Sequence, residues 1–280
     1  MVIAVTGASG QLGQALKMLS ENHSEHQFHF YSSAEVNITQ KSVIEKKWAE
    51  IKPDFCINAA AYTAVDKAES ESDLAYAINA DGVKNLAEVC QNHQTVLIHI
   101  STDFVFDGQS DKSYLETDLT HPQGVYGASK LAGEQAVAAI CKKHFIVRTS
   151  WLYSQFGHNF LKTMLRLAAE KPEVRVVNDQ IGSPTHALDL AKALLTMISK
   201  PSSNYGIYHF SNQDQTSWFG FAQKIFEVYH LTTPLYPIPT SDYPTPAKRP
   251  AFSVMDTTKI QKEFQIEIPT WQVALEKYKA

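Results

Sequence analysis

The sequence predicts an α/β protein built on a doubly wound parallel sheet of the Rossmann type, with a smaller carboxyl-terminal subdomain. First, short apolar runs alternate with helical patterns through the first 150 residues, as a parallel sheet with helical crossovers requires. Second, glycines separate the first apolar run from the first helical pattern. Third, the alternation loosens after Arg148, and the six prolines from Pro234 to Pro250 favour an extended segment there.

Composition narrows the class of protein. With 280 residues, of which 44% are hydrophobic, the chain resembles a soluble globular enzyme. A formal net charge of -4, without a run of lysine or arginine, argues against a nucleic-acid partner. Met1–Val5 is too short for a signal peptide, and no stretch approaches membrane-spanning length. We expect a cytoplasmic protein that binds no membrane, in which reduced thiols lie at three widely spaced positions: Cys56, Cys90 and Cys141.

A glycine-rich loop follows the first predicted strand, Val2 to Thr6, and leads into a helix. Gly7 permits a tight turn, Gly10 lets the backbone approach a pyrophosphate, and Gly13 lets the helix pack closely on the sheet. The helix amino terminus then offers free N–H groups to an anion. The G-x-x-G-x-x-G spacing is one residue longer than the usual dinucleotide fingerprint. We predict a dinucleotide site, with a structural loop as the alternative.

The end of the second predicted strand, Gln27 to Tyr31, bears on the choice of cofactor. An NAD-specific site carries Asp or Glu near this point to hold the ribose 2′-hydroxyl, but here the strand runs into Ser32 and Ser33. Without a carboxylate to repel a 2′-phosphate, NADPH is favoured and NADH is tolerated. Glu35 is close enough in sequence to leave the preference open.

The next two strands are predicted to bring small and polar residues to the same edge. A helix from Val43 to Ile51 precedes a buried strand from Phe55 to Asn58, which is followed by small residues through position 63. Such residues let a flat ligand approach the backbone, although packing of the next helix, Leu74 to Cys90, is a competing explanation. The fourth strand, Val96 to Ile100, then delivers residues 101–103 to this edge.

Tyr126 and Lys130 lie four residues apart in the next predicted helix and therefore share one face. A nearby ammonium stabilises a phenolate and lowers the phenol pKa, which suits acid–base chemistry. With right-handed crossovers, this helix start converges on the crevice that also receives Thr102. Among twelve tyrosines such a pair also arises by chance, and a hydroxyl that caps a strand end is the simpler reading of Thr102.

The second half is predicted to combine late sheet elements with a substrate-binding region. We assign residues 1–150 to an NAD(P)-binding domain. Residues 151–280 are assigned to a substrate-binding subdomain interleaved with late Rossmann elements at about 174–200. The segments predicted there are a helix over Asn159–Glu170, a strand over Val174–Val177, a helix over His186–Ile198, an apolar segment at Tyr208–Phe210 and a helix over Trp218–Tyr229.

Taken together, the glycine loop, the N-A-A-A segment and the Y-x-x-x-K pair resemble the extended short-chain dehydrogenase/reductases. Within them, the chain is most similar to the dTDP-4-dehydrorhamnose reductases. The segments that carry this likeness are A-A-A-Y-T-A-V-D-K-A-E (59–69), S-T-D-F-V-F-D-G (101–108), R-T-S-W-L-Y (148–153), D-Q-I-G-S-P-T (179–185) and R-P (249–250). The resemblance implies reduction of the 4-keto group of dTDP-4-dehydro-L-rhamnose by NAD(P)H to dTDP-L-rhamnose, a precursor of cell-surface polysaccharide.

The same resemblance implies roles for individual residues. Tyr126 would protonate the developing alkoxide, Thr102 would hydrogen-bond the same oxygen, and Lys130 would hold the nicotinamide ribose and depress the tyrosine pKa. Combined with the strand-end arguments above, the expected cofactor contacts, besides Tyr126 and Lys130, are Gly7, Gly10, Gln11, Leu12, Gly13, Asn37, Ile38, Ala59, Ala60, Ala61, Tyr62, Thr63 and Ser101. The expected substrate contacts are Thr102, Asp103, Tyr126, Trp151 and Arg249.

Three positions, Asn37, Arg249 and Gln14, bear on how the chain binds its ligands and a metal. Asn37 stands where the family commonly has Asp, which removes a charge near the expected adenine. The planar guanidinium of Arg249 suits a diphosphate, but a surface salt bridge is nearly as good an interpretation. Gln14 stands where some members carry a Glu linked to Mg²⁺ at a dimer contact, and Mg²⁺ prefers carboxylates. We therefore expect no structural metal, and a monomer or a dimer that does not depend on metal.

Other functions remain open. A related dehydratase carries an acidic pair after the threonine, but Phe104 follows Asp103 here, which disfavours β-elimination. An epimerase retains NAD tightly, which the missing carboxylate after the second strand makes less attractive. Another keto-sugar-nucleotide reductase, or a non-catalytic dinucleotide-binding regulatory subunit of the kind that partners methionine adenosyltransferase, stays as an alternative.

Overall fold

The core of the protein is a six-stranded, fully parallel sheet. The structure is a computed structural model and describes residues 1–200 and 202–279. Along the sheet the strand order is β2-β1-β3-β4-β5-β10. The strands of this sheet are β1 (Val2–Thr6), β2 (Gln27–Tyr31), β3 (Phe55–Asn58), β4 (Val96–Thr102), β5 (His144–Thr149) and β10 (Gly206–Phe210). Three two-stranded pairs are formed by β6 (Leu152–Tyr153) with β9 (Thr185–His186), β7 (Val174–Val177) with β12 (Leu235–Ile238), and β8 (Ile181–Gly182) with β11 (Thr216–Ser217).

Helices cover both faces of this sheet, so the predicted doubly wound α/β fold is confirmed. The helices are α1 (Gln11–Ser20), α2 (Lys41–Ile51), α3 (Val65–Ala68), α4 (Ser72–Tyr76), α5 (Val83–His93), α6 (Val125–Ile140), α7 (Phe160–Glu170), α8 (Ala187–Ser199), α9 (Trp218–Tyr229), α10 (Thr258–Phe264) and α11 (Trp271–Lys277). On one face α1, α8 and α10 form an apolar core with the strands, and on the other face α2, α5 and α6 do so. Strands buried on both faces explain the nearly continuous apolar runs of the sequence.

The strand order reverses direction at β1, which pairs with β2 on one side and β3 on the other. In open parallel sheets such a reversal leaves a crevice outside the carboxyl ends of the strands. The loops that follow β1, β3, β4 and β5 therefore meet at one edge. This edge is where the sequence places its glycines and its candidate catalytic residues.

The predicted helix over Leu74–Cys90 is interrupted by a π-helical turn, Ala77–Gly82, between α4 and α5. This turn carries the buried side chain of Asn79. Its amide accepts a hydrogen bond from the Tyr62 N–H at 2.9 Å and donates to the Tyr62 carbonyl oxygen and the Ser129 hydroxyl, both at 3.0 Å. One side chain thus joins the loop after β3 to α6. Single π-turns are frequent at functional sites.

The carboxyl-terminal subdomain has its own apolar core, formed by α7, α9, α11 and β7. The elements predicted at about 174–200 are divided between the two regions. Strand β7 pairs with β12 and lies outside the central sheet. Helix α8, by contrast, packs beside α1 on one face of the central sheet. The sixth strand of the sheet is β10, which lies beyond that range and pairs with β5.

All three cysteine thiols are free and buried. Among the described residues, no helix is long and apolar enough to cross a bilayer.

We predict that Gly133→Ala destabilises the protein. Gly133 lies where α6 meets the π-helical turn, and a Cβ atom there would collide with the backbone carbonyl oxygen of Asn79. Forcing an atom into such a contact typically costs about 1–3 kcal/mol. Urea denaturation should show this loss relative to the control Gln135→Ala, which adds no atom to the interface because Gln135 is exposed on the same helix. Equal midpoints for the two variants would contradict the prediction.

Candidate active site

A cavity of about 1110 Å³ lies at the carboxyl edge of the sheet, between the central strands and the carboxyl-terminal subdomain. Its walls combine the loops after β1 to β5 with residues from α7, β7 and α9. All the predicted cofactor and substrate residues except Tyr62 line it. The topology therefore brings together groups that are up to 242 positions apart in the chain, from Gly7 to Arg249.

The glycine loop forms one end of this cavity. Gly7 has a φ of +73°, and a Cβ atom there would lie 2.5 Å from the backbone of Ala59 and Ala60. A Cβ on Gly13 would meet the Gly7 carbonyl oxygen and Ala8, so the close approach of Gly13 is to the loop itself. No side chain caps α1, whose first turn lines the cavity. Its free N–H groups and the helix dipole suit a phosphate group.

The residues after β2 form the neighbouring wall. Ser33, Asn37 and Ile38 line the cavity, whereas Glu35 does not. The Glu35 carboxylate accepts hydrogen bonds from the Ser32 N–H at 2.8 Å and the Ser32 hydroxyl at 2.7 Å. These bonds lower the pKa of Glu35. The carboxylate that left the cofactor preference open is therefore engaged by Ser32.

Tyr126 lies in the first turn of α6, and Lys130 lies one turn later on the same face. The Tyr126 ring makes an edge contact with Phe104, with 5.6 Å between the ring centroids. The Lys130 ammonium donates a hydrogen bond to the Ile100 carbonyl oxygen at 2.7 Å. Thr102, at the end of β4, donates from its hydroxyl to Asp103 at 3.0 Å and accepts from the Phe104 N–H at 3.2 Å. The three predicted catalytic side chains line one cavity.

The environment of Tyr126 differs from the one expected from sequence. Burial raises its pKa to about 12; the Thr102 hydroxyl acts in the opposite direction, and the Asp103 charge raises it further. The net shift is thus upward, although Lys130 was expected to lower the pKa. Burial also lowers the pKa of Lys130 to about 8, against the charge of Glu134. A phenol in this setting stays protonated at neutral pH, which is the form that donates a proton.

Asp103 is a buried carboxyl beside the threonine, with 2% of its surface exposed. Burial raises its pKa to about 6, and hydrogen bonds from Ser253 and Thr102 only partly oppose the shift. It follows β4 directly and lines the cavity. An acid of this kind changes charge near neutral pH, close to the phenol.

A buried ion pair lies beneath the site and was missed by sequence reasoning. Glu134, one turn after Lys130 on α6, receives two hydrogen bonds from Arg148 of β5: Nε to Oε1 at 2.9 Å and Nη2 to Oε2 at 2.7 Å. Both residues are 2% exposed. The Arg148 guanidinium also lies over the Phe106 ring, 5.1 Å from its centroid. Arg148 stands in the R-T-S-W-L-Y segment, but no spacing pattern in the sequence indicates its pairing with Glu134.

Trp151 and Arg249 form walls on the side of the carboxyl-terminal subdomain. The indole of Trp151 stacks on Trp218 with a centroid distance of 3.5 Å, and no sequence motif had indicated Trp218. Arg249 pairs with Asp66, with Nη2 and Oδ2 2.6 Å apart. The salt bridge that was one of the two interpretations of Arg249 is therefore present, and it lies at the cavity wall.

Two predicted positions have other roles in the structure. The Tyr62 phenol donates a hydrogen bond to Glu71 at 2.6 Å, outside the cavity. The Gln14 amide donates to the Ser9 carbonyl oxygen at 2.9 Å. Within residues 1–200 and 202–279, no group of three or more His, Cys, Asp or Glu side chains is arranged to hold a metal ion. The expected absence of a metal stays a prediction.

The chain matches the family described as the RmlD substrate binding domain over residues 1–280. It belongs to that family. A dTDP-4-dehydrorhamnose reductase of Aggregatibacter actinomycetemcomitans is 42% identical to it, over 99% of this chain and 98% of the relative. One from Sinorhizobium fredii is also 42% identical, over 97% and 94%. The Bacillus anthracis dTDP-4-dehydrorhamnose reductase, solved in complex with NADP, superposes with a TM-score of 0.95 at 42% identity and covers 99% of this chain and 98% of its own.

We predict that Asp103→Asn stabilises this RmlD family member at neutral pH. A carboxyl whose pKa rises on folding from 3.8 to about 6 destabilises the folded state once it ionises. The penalty grows as pH rises through this range and amounts to roughly 2–3 kcal/mol above pH 6. Urea denaturation should show a gain for Asp103→Asn at pH 7.5 that shrinks as pH falls towards 4. The exposed control Asp111→Asn should show no such trend. A gain independent of pH, or none, would refute the argument.

Proposed function

We propose that this chain is an NADPH-dependent dTDP-4-dehydrorhamnose reductase, which reduces the 4-keto group of dTDP-4-dehydro-L-rhamnose to give dTDP-L-rhamnose for polysaccharide synthesis. The observation that carries the proposal is one cavity that joins a glycine loop to Thr102, Tyr126 and Lys130. Relatives of that name match at 42% identity over nearly the whole chain.

The volume and the lining of the cavity suit two ligands, a dinucleotide and a sugar nucleotide. Its volume of about 1110 Å³ exceeds the roughly 300–1,000 Å³ of typical small-molecule pockets. The glycine loop and the α1 amino terminus suit the pyrophosphate of a dinucleotide. Arg249 and Trp151 lie on the side of the cavity opposite the glycine loop, next to the subdomain. There they offer a sugar nucleotide a cation and an aromatic ring. The chain therefore binds NADP(H) at the sheet side and substrate at the subdomain side.

The chemistry divides between cofactor and protein. When bound, the reduced nicotinamide supplies a hydride to C4 of the sugar. Tyr126 donates its phenolic proton to the C4 oxygen, so that the carbonyl becomes a secondary alcohol. Thr102 hydrogen-bonds the same oxygen, and Lys130 holds the ribose and stabilises the phenolate that Tyr126 becomes. Burial of these groups makes each electrostatic contribution larger than it would be in water.

The electrostatics favour this direction of proton transfer. A Tyr126 pKa of about 12 keeps the phenol protonated before reaction. Lys130, with a pKa near 8, remains mostly cationic at neutral pH. The Tyr126 anion formed by proton transfer thus meets a cation in a cavity of low dielectric constant, which offsets part of the cost of ionising the phenol.

The alternatives have less support. Phe104 occupies the position of the second acid that a dehydratase needs, and its ring packs against Tyr126. A regulatory subunit would bind the dinucleotide without turnover, so a turnover assay separates it from a reductase. We also propose a cytoplasmic location, and a monomer or a dimer that forms without metal.

Tyr126→Phe should lower kcat about 10²- to 10⁴-fold, because it removes the proton donor and keeps the ring. Oxidation of NADPH at 340 nm, on mixing with enzymatically generated dTDP-4-dehydro-L-rhamnose, measures the effect. The matched control is Tyr236→Phe, at a half-exposed tyrosine of β12 that does not line the cavity. Both variants should still bind NADPH, so that the loss in Tyr126→Phe is a loss of turnover and not of the cofactor. Near-normal turnover by Tyr126→Phe would exclude Tyr126 as the acid. NADPH binding by the wild-type chain without turnover of any keto-sugar nucleotide would favour the regulatory-subunit alternative.

We further predict that kcat/KM is higher with NADPH than with NADH, and that NADH is still used. Ser33 lines the cavity after β2, and the carboxylate of Glu35, which does not line it, is bound to Ser32. No negative charge therefore faces a 2′-phosphate from this strand end. Steady-state kinetics with each cofactor at saturating sugar nucleotide test the prediction. A clearly higher efficiency with NADH would contradict it.

A further inference from the structure

Trp151 has a backbone conformation that needs an explanation. Its φ of +46° lies in the left-handed region, which is strained for a bulky side chain and persists only where its surroundings fix it. Trp151 comes two residues after Thr149, which pairs in register with Thr102 of β4. The strained residue therefore lies beside the proposed reaction centre. Its carbonyl oxygen accepts a hydrogen bond from the Thr185 N–H at 3.2 Å.

The indole of Trp151 occupies a slot between Trp218 and Gly182. On one side Trp218 stacks almost parallel to it, with a centroid distance of 3.5 Å and an angle of 7°. On the other side is Gly182, where a Cβ atom would lie 2.5–2.7 Å from indole atoms. Phe160 supports Trp218 from a centroid distance of 4.6 Å. The ring is therefore confined between Trp218 and Gly182.

Both sides of the slot are built by one small ribbon. Gly182 of β8 pairs in register with Thr216 of β11. Ser217 caps α9 by accepting a hydrogen bond from the Gly220 N–H at 2.9 Å, which makes Trp218 the first residue of that helix. The ribbon belongs to the subdomain, whereas Trp151 lies two residues after the end of β5 in the central sheet and faces the subdomain side of the cavity. The slot thus couples the two regions at the cavity.

We propose that Trp218 and Gly182 are positioning residues that fix the Trp151 indole as the apolar wall for the deoxysugar of the substrate. The inference rests on the proposed function. A 6-deoxysugar has a methyl group and a C–H face, and an aromatic ring packs well against such groups. Trp151, Trp218 and Phe160 all line the cavity, so the parts of these rings that the stack and Gly182 leave uncovered form an apolar wall that a ligand can contact. A tilted indole would lose that contact without any change in the dinucleotide site.

The test compares Trp218→Phe, Trp218→Leu and Gly182→Ala in the full chain. Two stacked indoles give an exciton couplet in circular dichroism, and all three variants should weaken or remove it. Trp218→Leu and Gly182→Ala should raise KM for dTDP-4-dehydro-L-rhamnose about tenfold with a smaller change in kcat, because the indole is no longer held. Trp218→Phe keeps an aromatic partner and should have a nearly normal KM. NADPH affinity should be the same in all three.

Trp48→Phe is the matched control, since Trp48 belongs to α2 and lies in the apolar core that α2 shares with α5, away from the cavity. It should keep both the couplet and KM. An unchanged KM in Trp218→Leu and Gly182→Ala, with the couplet lost, would overturn the proposal. If one of these variants does not fold, the other decides the matter together with Trp218→Phe. If the wild-type chain binds NADPH but turns over no keto sugar, the proposed function fails. The positioning roles are then tested by calorimetric measurement of the affinity for dTDP-L-rhamnose. A loss of about tenfold in Trp218→Leu supports them, and no loss refutes them.

Discussion

The site depends on the close approach of two backbone segments at the carboxyl edge of the sheet. Gly7 lies so near Ala59 that a single Cβ atom would separate the loops after β1 and β3. A buried network holds this edge: Asn58 accepts a hydrogen bond from the Thr6 hydroxyl at 2.7 Å, and its amide nitrogen contacts His99 at 3.0 Å. Three adjacent strands are thereby tied together just below the cavity. Because buried polar groups need partners, the network also fixes the register of the strand ends.

A second constraint fixes α6, the helix that carries Tyr126 and Lys130, against this edge. The Glu134–Arg148 pair ties α6 to β5, and Asn79 ties the same helix to the loop after β3. Removing water from two charges is costly, so a buried pair gives little net stability by itself. The main effect of the pair is to restrict the position of α6 relative to β5. The fork of Arg148 allows only a narrow range of helix positions, and the first turn of α6, which carries Tyr126, is held accordingly.

Local patterns made the first half of the fold predictable. Strands β1 to β4 and their helices have short connections and clear periodicity, and the Tyr126–Lys130 spacing is a property of one helix. The remaining features depend on distant pairings. Strand β10 joins the sheet 57 residues after β5 ends, and the Arg249–Asp66 pair joins positions 183 apart. The stack of Trp151 on Trp218 and the net rise in the Tyr126 pKa follow from packing and burial. A pattern of residue types does not reveal either of these.

The pKa values connect these constraints to the direction of the chemistry. Burial of Tyr126 makes its ionisation difficult, and the Asp103 carboxylate adds to the difficulty. Lys130, which lies on the same face of α6 as Tyr126, donates a hydrogen bond to the carbonyl oxygen of Ile100 in β4. A reductase needs a phenol that is protonated when substrate arrives and an anion that is stabilised only as the proton leaves. In the reaction that we propose, burial of Tyr126 would meet the first need and the Lys130 ammonium the second, so that stabilisation by charge would be concentrated at the step in which charge develops.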